Sequence, residues 1–212
     1  MIQIKTFTFN PFQVNTYLLY DETGECVIID AACQDNREQE ILVSAIEKEG
    51  LKPVRLLNTH CHIDHLMGNR FIQEKYNISP ESCREDDFLI EQAVQQGSMF
   101  GLVIQVPPAP GNHLKEGDKI KFGNNTLDVF EVPGHSPGSL AFYSEQDKIC
   151  ITGDALFNGS IGRTDLPGGS YETLISSITG KIMNLADEVR IYPGHQSPST
   201  IGKERTSNPF LT

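Results

Sequence analysis

The densest chemistry in the chain lies in one short stretch, Thr59-His60-Cys61-His62-Ile63-Asp64-His65. Imidazoles and a carboxylate this close together suit a metal ion, since both are common ligands of Zn²⁺ and of related ions. At period two along an extended segment, His60 and His62 project to the same side and can reach one ion. Asp64 and His65 start the next helix and face elsewhere, which leaves room for a second ion. Further on, Pro133-Gly134-His135, Thr152-Gly153-Asp154 and Pro193-Gly194-His195 repeat one local design, a strand followed by a glycine and then a candidate ligand. Glycine permits the sharp turn that aims the next side chain into a cleft at the strand ends. Five of the six histidines fall within this pattern. His113, after Gly111-Asn112, reads as a solvated turn residue without a role.

The elements that must position these groups are legible in the periodicity. Strands are expected at about Ile2 to Thr8, Val14 to Tyr20 and Cys26 to Asp30, with Asp21-Glu22-Thr23-Gly24 as the connection between the second and third. Asn36 to Gly50 carries Ile41, Leu42, Ala45 and Ile46 at helical spacing and reads as an amphipathic helix that stops at Gly50. Val54 to Asn58 is a buried strand that delivers the chain to the histidine cluster, and a helix leaves it over about Asp64 to Tyr76. Another helix spans Glu85 to Gln96. Ser98 to Gly111, apolar and rich in Gly and Pro, reads as a loop that can overhang a site. The second half restarts the pattern with strands at about Lys119 to Phe122, Thr126 to Glu131, Leu140 to Ser144 and Lys148 to Thr152. A helix at Tyr171 to Asn184 and a strand at Val189 to Tyr192 follow. Two such halves predict two sheets packed face to face with helices outside.

The bulk properties narrow the class. With 212 residues and 38% hydrophobic content, one domain over residues 1–212 is the default expectation. The amino terminus alternates polar and apolar residues and does not read as a signal peptide. No window approaches the roughly 18 apolar residues of a membrane span, so a soluble protein is expected. Five cysteines, widely spaced and without a Cys-x-x-Cys pair, fit a reducing cytoplasm. A net charge of −11 with no local run of Lys and Arg disfavours nucleic-acid binding.

The order His-x-His-x-Asp-His, Gly-His, Gly-Asp, Gly-His, running over nearly the whole chain, resembles the metallo-β-lactamase superfamily. Pro133-Gly134-His135-Ser136-Pro137-Gly138-Ser139, Thr152-Gly153-Asp154-Ala155-Leu156-Phe157, Gly162-Arg163-Thr164-Asp165 and the ending Glu204-Arg205-Thr206 with Asn208-Pro209 resemble its glyoxalase II-like (hydroxyacylglutathione hydrolase-like) branch. The small single-domain members are the better match, because Asp165 stands about where typical glyoxalase II enzymes carry a glutathione-contacting tyrosine. The chain also runs only 17 residues beyond His195, where those enzymes continue into a helical region. The resemblance implies an α+β fold, a four-layer αββα sandwich of two mixed β-sheets flanked by helices. It implies that His60, His62 and His135 bind one metal, that Asp64, His65 and His195 bind a second, and that Asp154 bridges them. Asp64 and Asp154 are then the candidate catalytic carboxylates, Arg163 a candidate substrate-binding residue, and Asp30 a partner that orients a ligand histidine. The ions expected are two divalent metals, Zn²⁺ first, with Fe and Mn compatible with the same donors.

The implied reaction is attack of a hydroxide held between the metals on a small-molecule thioester. A thiol of pKa ~8.5 departs as thiolate with little help, whereas an amine must be protonated first, and no general acid is evident beyond the metal-binding residues. Lactone cleavage follows the same logic. The rival is a persulfide dioxygenase, whose family shares the Gly-Arg-Thr-Asp stretch and uses one iron, here on His60, His135 and Asp154. A metal-stabilised binding module without catalysis is the third reading. Plainer structural roles compete at single positions. Asp64 can cap its helix, Cys61 is expected as buried filler, and Arg163 and Asp165 can simply staple their own loop. Met99, Phe100, Leu102, Val103 and Ile104 are expected in the core somewhat more than in the cleft.

Overall fold

The computed structural model describes residues 1–212. The first half forms β1 (Gln3–Phe9), β2 (Val14–Tyr20), β3 (Glu25–Ile29), helix α1 (Asn36–Lys48), β4 (Lys52–Leu57), the short helix α2 (Ile63–Leu66), α3 (Asn69–Tyr76), β5 (Pro80–Ser82), α4 (Asp87–Met99) and β6 (Asn112–His113). Its six strands lie in sequence order in one sheet, antiparallel from β1 to β3 and parallel from β3 to β6. The second half supplies β7 (Lys119–Phe122), β8 (Asn125–Glu131), β9 (Leu140–Ser144), β10 (Ile149–Gly153), a small hairpin of β11 (Leu156–Phe157) and β12 (Ser160–Ile161), helix α5 (Tyr171–Gly180), β13 (Arg190–Pro193), β14 (Ser199–Thr200) and α6 (Ile201–Ser207). Its sheet runs β14-β13-β10-β9-β8-β7, with only β10 and β13 parallel. Two mixed sheets flanked by helices make the fold α+β, as expected.

Side-chain parity on the strands explains the layering. Successive residues of a strand point to opposite faces. Tyr17 and Leu19 of β2 enter a core with Phe122, Val129, Phe142 and Ile151 of the other sheet. Their neighbours Leu18 and Tyr20 instead meet Leu42 and Ile46 of α1 and Ile72 of α3. Across the molecule, Ala141, Tyr143, Cys150 and Ile191 pack on Leu174 and Ile178 of α5 and Ile201 of α6. Every residue of β2 is therefore buried. No helix is long and apolar enough to cross a membrane.

Several expectations need correction. The helix expected over Asp64 to Tyr76 is two helices, interrupted at Met67 and Gly68. Gly68 N donates to Ala31 O at 2.7 Å, and a Cβ there would stand 2.5 Å from Cys33 Sγ, so tertiary contact breaks a continuous apolar periodicity. The carboxy-terminal part of the Tyr171–Asn184 helix is 3₁₀ over Ile182–Asn184. Strands β5, β6 and β14 and helix α6 were not foreseen; these strands are too short to show alternation. His113 is not a solvated turn residue. It lies half-buried in edge strand β6, its Nε2 3.0 Å from the Asp87 carboxylate. Asp64 caps nothing; it lies in the first turn of α2, whose N-cap position is His62.

Candidate metal centre

All seven candidate ligands meet at one rim of the sandwich, beyond the carboxy-terminal ends of β4, β8, β10 and β13. They fall into three overlapping trios, His60/His62/His135, His60/His65/Asp154 and Asp64/His65/His195, with the donor atoms of each trio within 4.8 Å of one another. The His60 ring centroid lies 4.8 Å from that of His62, 4.1 Å from His65 and 4.8 Å from His135. Asp154 Oδ1 is 3.5 Å from His65 Nε2, while Oδ2 is 3.6 Å from His135 Nε2 and 3.4 Å from His195 Nε2. The trios named first and last reproduce the two ligand sets the resemblance implies, and Asp154 lies between them. His60 and His62 share a side as expected, though β4 ends at Leu57 and the histidines stand on irregular extended chain beyond it. Cys61 between them is buried with Leu66 and Leu89, away from the trios.

The surrounding hydrogen bonds decide which ring nitrogen faces inward. His135 Nδ1 donates to Arg163 O at 2.8 Å, which leaves Nε2 toward the other candidates. His65 Nδ1 lies 3.0 Å from Asp30 Oδ2. Thr59 Oγ1 donates to the same Oδ2 at 2.7 Å and so can accept from His60 Nδ1, 3.1 Å away. Nε2 of His60, His62 and His65, and Oδ1 of Asp154, are buried with no hydrogen-bond partner. Buried polar atoms are nearly always paired, so imidazole nitrogens and a carboxylate oxygen left without partners and facing each other are what a cation would satisfy, in place of any proton they carry. The donor set fits the divalent ions the resemblance implies.

The electrostatics divide the histidines. Burial, reinforced by the neighbouring imidazoles, holds His60 well below its ordinary range. Burial and His135 likewise push His62 down to about 4. Burial opposes charge on His65 too, but Asp64, Asp154 and Asp30 outweigh it and raise the group to about 9. At His195 burial is outweighed by hydrogen bonds to Asp154 and Asp64, and the group rises to about 10. Asp154 and Asp64 are lowered despite burial, chiefly by His65 and His195. In the protein by itself two cationic imidazoles thus face two carboxylates, and the other two imidazoles named here are neutral.

Glycines make the approach possible in two different ways. Gly134 is left-handed at φ 131°, and a Cβ there would stand 2.3 Å from Leu174 N. Gly194 needs no unusual torsion, but its Cβ would lie 2.1 Å from Asp154 Oδ1 and 2.8 Å from His65 Cε1. There the glycine serves closeness, where a turn was expected.

Two residues that sequence reasoning missed brace the rim. Asp86, fully buried, accepts from Cys61 N at 2.9 Å, Ser136 Oγ at 2.8 Å and Gly138 N at 2.6 Å, tying the loop of His60 and His62 to that of His135. Glu204, also buried, accepts from Gly159 N at 2.8 Å, from Asn208 Nδ2 at 2.8 Å and from Ser199 Oγ, and so fixes the β11–β12 hairpin. Asp86 looks in sequence like one more acidic residue of a helix start. Glu204 was noticed only as part of a motif.

A cleft of about 860 Å³ opens over the site, reaching His62, Asp64, His135, Asp154 and His195 and lined also by Phe12, Met99, Phe100, Phe157, Ile161 and Arg163. Met99 and Phe100 are 80% and 60% exposed, so the expectation that they fill core is wrong. The Phe100 ring meets Phe12 edge-on at 5.4 Å. Arg163 staples its loop, its Nε and Nη2 each donating to Asp165 at 2.7 Å, and it also lines the cleft.

Comparison with known proteins agrees with this geometry. The chain is 37% identical to hydroxyacylglutathione hydrolase GloC of Haemophilus influenzae, over 99% of this chain and 98% of that one. It is 34% identical to the mitochondrial persulfide dioxygenase ETHE1 of Bos taurus, over 93% of this chain and 71% of that protein. Among solved structures it superposes on the BLEG-1 B3 metallo-beta-lactamase with a TM-score of 0.90 at 33% identity, covering 99% of this chain and 100% of the other. TTHA1623 in a di-iron-bound form gives a TM-score of 0.88 at 36% identity, covering 98% and 100%. The family profile described as Metallo-beta-lactamase superfamily matches residues 9–195, a span that contains all seven converging side chains. On the strength of that match, the two-sheet fold and the clustered imidazoles, the chain belongs to the metallo-beta-lactamase superfamily.

Proposed function

We propose that this protein is a binuclear metal-dependent hydrolase of thioesters. The observation that carries the reading is the convergence of three overlapping donor trios, with Asp154 between the outer two. His60, His62 and His135 would hold one divalent ion, Asp64, His65 and His195 the other, with Asp154 shared; Zn²⁺ suits these donors first, and Fe or Mn next. Bound there, two such ions supply a deprotonated water at neutral pH and polarise a carbonyl oxygen.

The chain's own groups then define the rest. Asp30, the Arg163 carbonyl and Thr59 fix the tautomers of His65, His135 and His60. The cleft lining offers no lysine, tyrosine or cysteine to protonate a departing amine. A thiol of pKa ~8.5 leaves without that help, so a thioester is favoured over an amide. The relative from Haemophilus influenzae, named a hydroxyacylglutathione hydrolase, supports this class. Five free, buried cysteines suit a reducing compartment such as the cytoplasm.

The persulfide dioxygenase reading draws on the Bos taurus relative and would use one iron on His60, His135 and Asp154. It leaves Asp64 and His195, which share a trio with His65, without a task. Elemental analysis of protein purified without added metal, beside assays on thioesters, lactones and a persulfide, separates the two. About two metals per chain with thioester turnover is expected. One iron per chain with oxygen consumption on the persulfide would overturn the proposal.

A further inference from the structure

The turn between β1 and β2 reaches both the cleft and the metal centre, and Asn10 is where the two meet. Asn10 holds a left-handed backbone at φ 54°, which asparagine tolerates better than most residues. Each of its polar groups is engaged. Its N donates to Glu38 Oε1 at 2.7 Å, and its carbonyl accepts from Gln13 N at 3.1 Å. Its side-chain Oδ1 accepts from Phe12 N at 2.9 Å, a short asparagine turn that sets the direction of the chain at Phe12. Nδ2 donates to Asp64 O at 2.9 Å and to Ala32 O at 3.1 Å.

The bond to Asp64 answers a need of the short helix that carries this candidate ligand. Helix α2 is a single turn of four residues, so its last carbonyls lack partners within it. An uninterrupted helix would direct Gly68 N to Asp64 O, but Gly68 N donates to Ala31 O instead. The Asn10 amide takes up the Asp64 carbonyl left over, and its second hydrogen reaches Ala32, two residues beyond the Asp30 that faces His65. Phe12 meanwhile lines the cleft and meets Phe100 edge-on. One side chain thus fixes a wall of the cleft with its oxygen and the backbone of a candidate ligand with its nitrogen. Aspartate in its place would lack the donors, and glycine would take the torsion but bond neither partner.

We propose that Asn10 is a positioning residue that couples the cleft wall at Phe12 to the metal-binding group of Asp64, His65 and His195. The inference rests on the binuclear hydrolase reading and deepens it. By holding Asp64 O, Asn10 keeps the one-turn helix in the orientation that points the Asp64 carboxylate at His195, whose Nε2 lies 3.6 Å from Asp64 Oδ2. The group of His60, His62 and His135 receives no bond from Asn10, so the two ions differ in their dependence on it.

Asn10→Gly tests the coupling, because glycine adopts the left-handed backbone and the variant should fold, as its Tm will show. Competition with a chelating dye for zinc reads the two dissociation constants. Turnover of S-lactoylglutathione, measured with both ions bound, reads KM. In Asn10→Gly one zinc constant is expected to rise about tenfold with the other unchanged. KM is expected to rise about tenfold as well, since the cleft wall is no longer held. Phe12→Ala should raise KM alone and leave both zinc constants as in the wild type, because its backbone N still bonds Asn10. In Asn10→Gly, wild-type values throughout, one readout moved without the other, or two zinc constants raised alike would each overturn the coupling while leaving the hydrolase intact. Wild-type protein that holds fewer than two zinc ions, or that turns over neither S-lactoylglutathione nor any other thioester, removes the hydrolase reading itself, and the coupling with it.

Discussion

Asp30 holds a left-handed backbone at φ 52°, a conformation that costs a non-glycine residue energy unless its surroundings fix it. What fixes it is the use of both carboxylate oxygens: Oδ1 accepts from Thr59 N at 2.7 Å, and Oδ2 from Thr59 Oγ1 and His65 Nδ1. Asp30→Asn would turn an amide NH₂ toward one of these donors and release the His65 ring. Metal affinity at the Asp64/His65/His195 group should fall roughly 10- to 100-fold, measured by competition with a chelating dye. Unchanged affinity would show that His65 needs no such support. A second prediction concerns protons. Asp64, Asp154 and Asp30 outweigh burial at His65 and raise it to about 9, and Asp154 and Asp64 do the same at His195, to about 10. At about pH 8 both imidazoles therefore carry a proton that a metal must displace, so binding should release about two protons from them. That contribution should vanish as pH rises through the two raised values. Calorimetry in buffers of different ionisation enthalpy reads the release directly, and a pH-independent count would contradict the assignment.

The loops that end β4, β8, β10 and β13 aim the donors, and their glycines decide how closely they approach. Gly194→Ala would place a Cβ 2.1 Å from Asp154 Oδ1, on the far end of a side chain that can only yield by leaving the centre. The variant should fold, since the displaced group is a side chain and not backbone, yet lose most bound metal and at least about 100-fold in activity. Full metal content in Gly194→Ala would refute the closeness argument. This example also marks what sequence reading can reach. The candidate ligands were legible because the signal for each is local: a spacing of two in His60 and His62, or a glycine directly before His135, Asp154 and His195. The long strands were legible from alternation, as in β7, where Ile120 and Phe122 are buried and Lys119 and Lys121 exposed. Features that depend on distant chain were not. Asp86 reaches Ser136 and Gly138 some fifty positions away. Gly68 breaks a helix because of Ala31 and Cys33. Met99 and Phe100 are apolar like core residues, and only the fold shows that the chain turns them into the cleft.

At the scale of the molecule the centre is a joint between its two halves. His60, His62, Asp64 and His65 follow β4 of the first sheet, whereas His135, Asp154 and His195 follow β8, β10 and β13 of the second. The rim is already stitched by protein bonds: Leu140 N donates to Thr59 O at 2.7 Å, Asn15 N to Gly194 O at 2.7 Å, and Tyr17 Oη to Pro193 O at 2.6 Å. The inter-sheet core runs beneath, with Tyr17 and Phe142 fully buried in it. Because these bonds and that core hold the rim together, the metal-depleted chain should stay folded, with its donors near their final places. Ions held by both halves would then add stability by binding the folded state alone. At free metal about 100-fold above the dissociation constant this amounts to about 2.7 kcal/mol for each of the two ions. For a domain of this size that corresponds to a rise in Tm of roughly 5–10 °C per ion. Scanning calorimetry of chelated protein, with and without returned zinc, measures it. A Tm unmoved by metal at that concentration would mean that the seven side chains do not close around cations in the folded protein. Collapse of the chelated protein to an unfolded chain would mean instead that the rim bonds and the core cannot hold the two sheets together on their own.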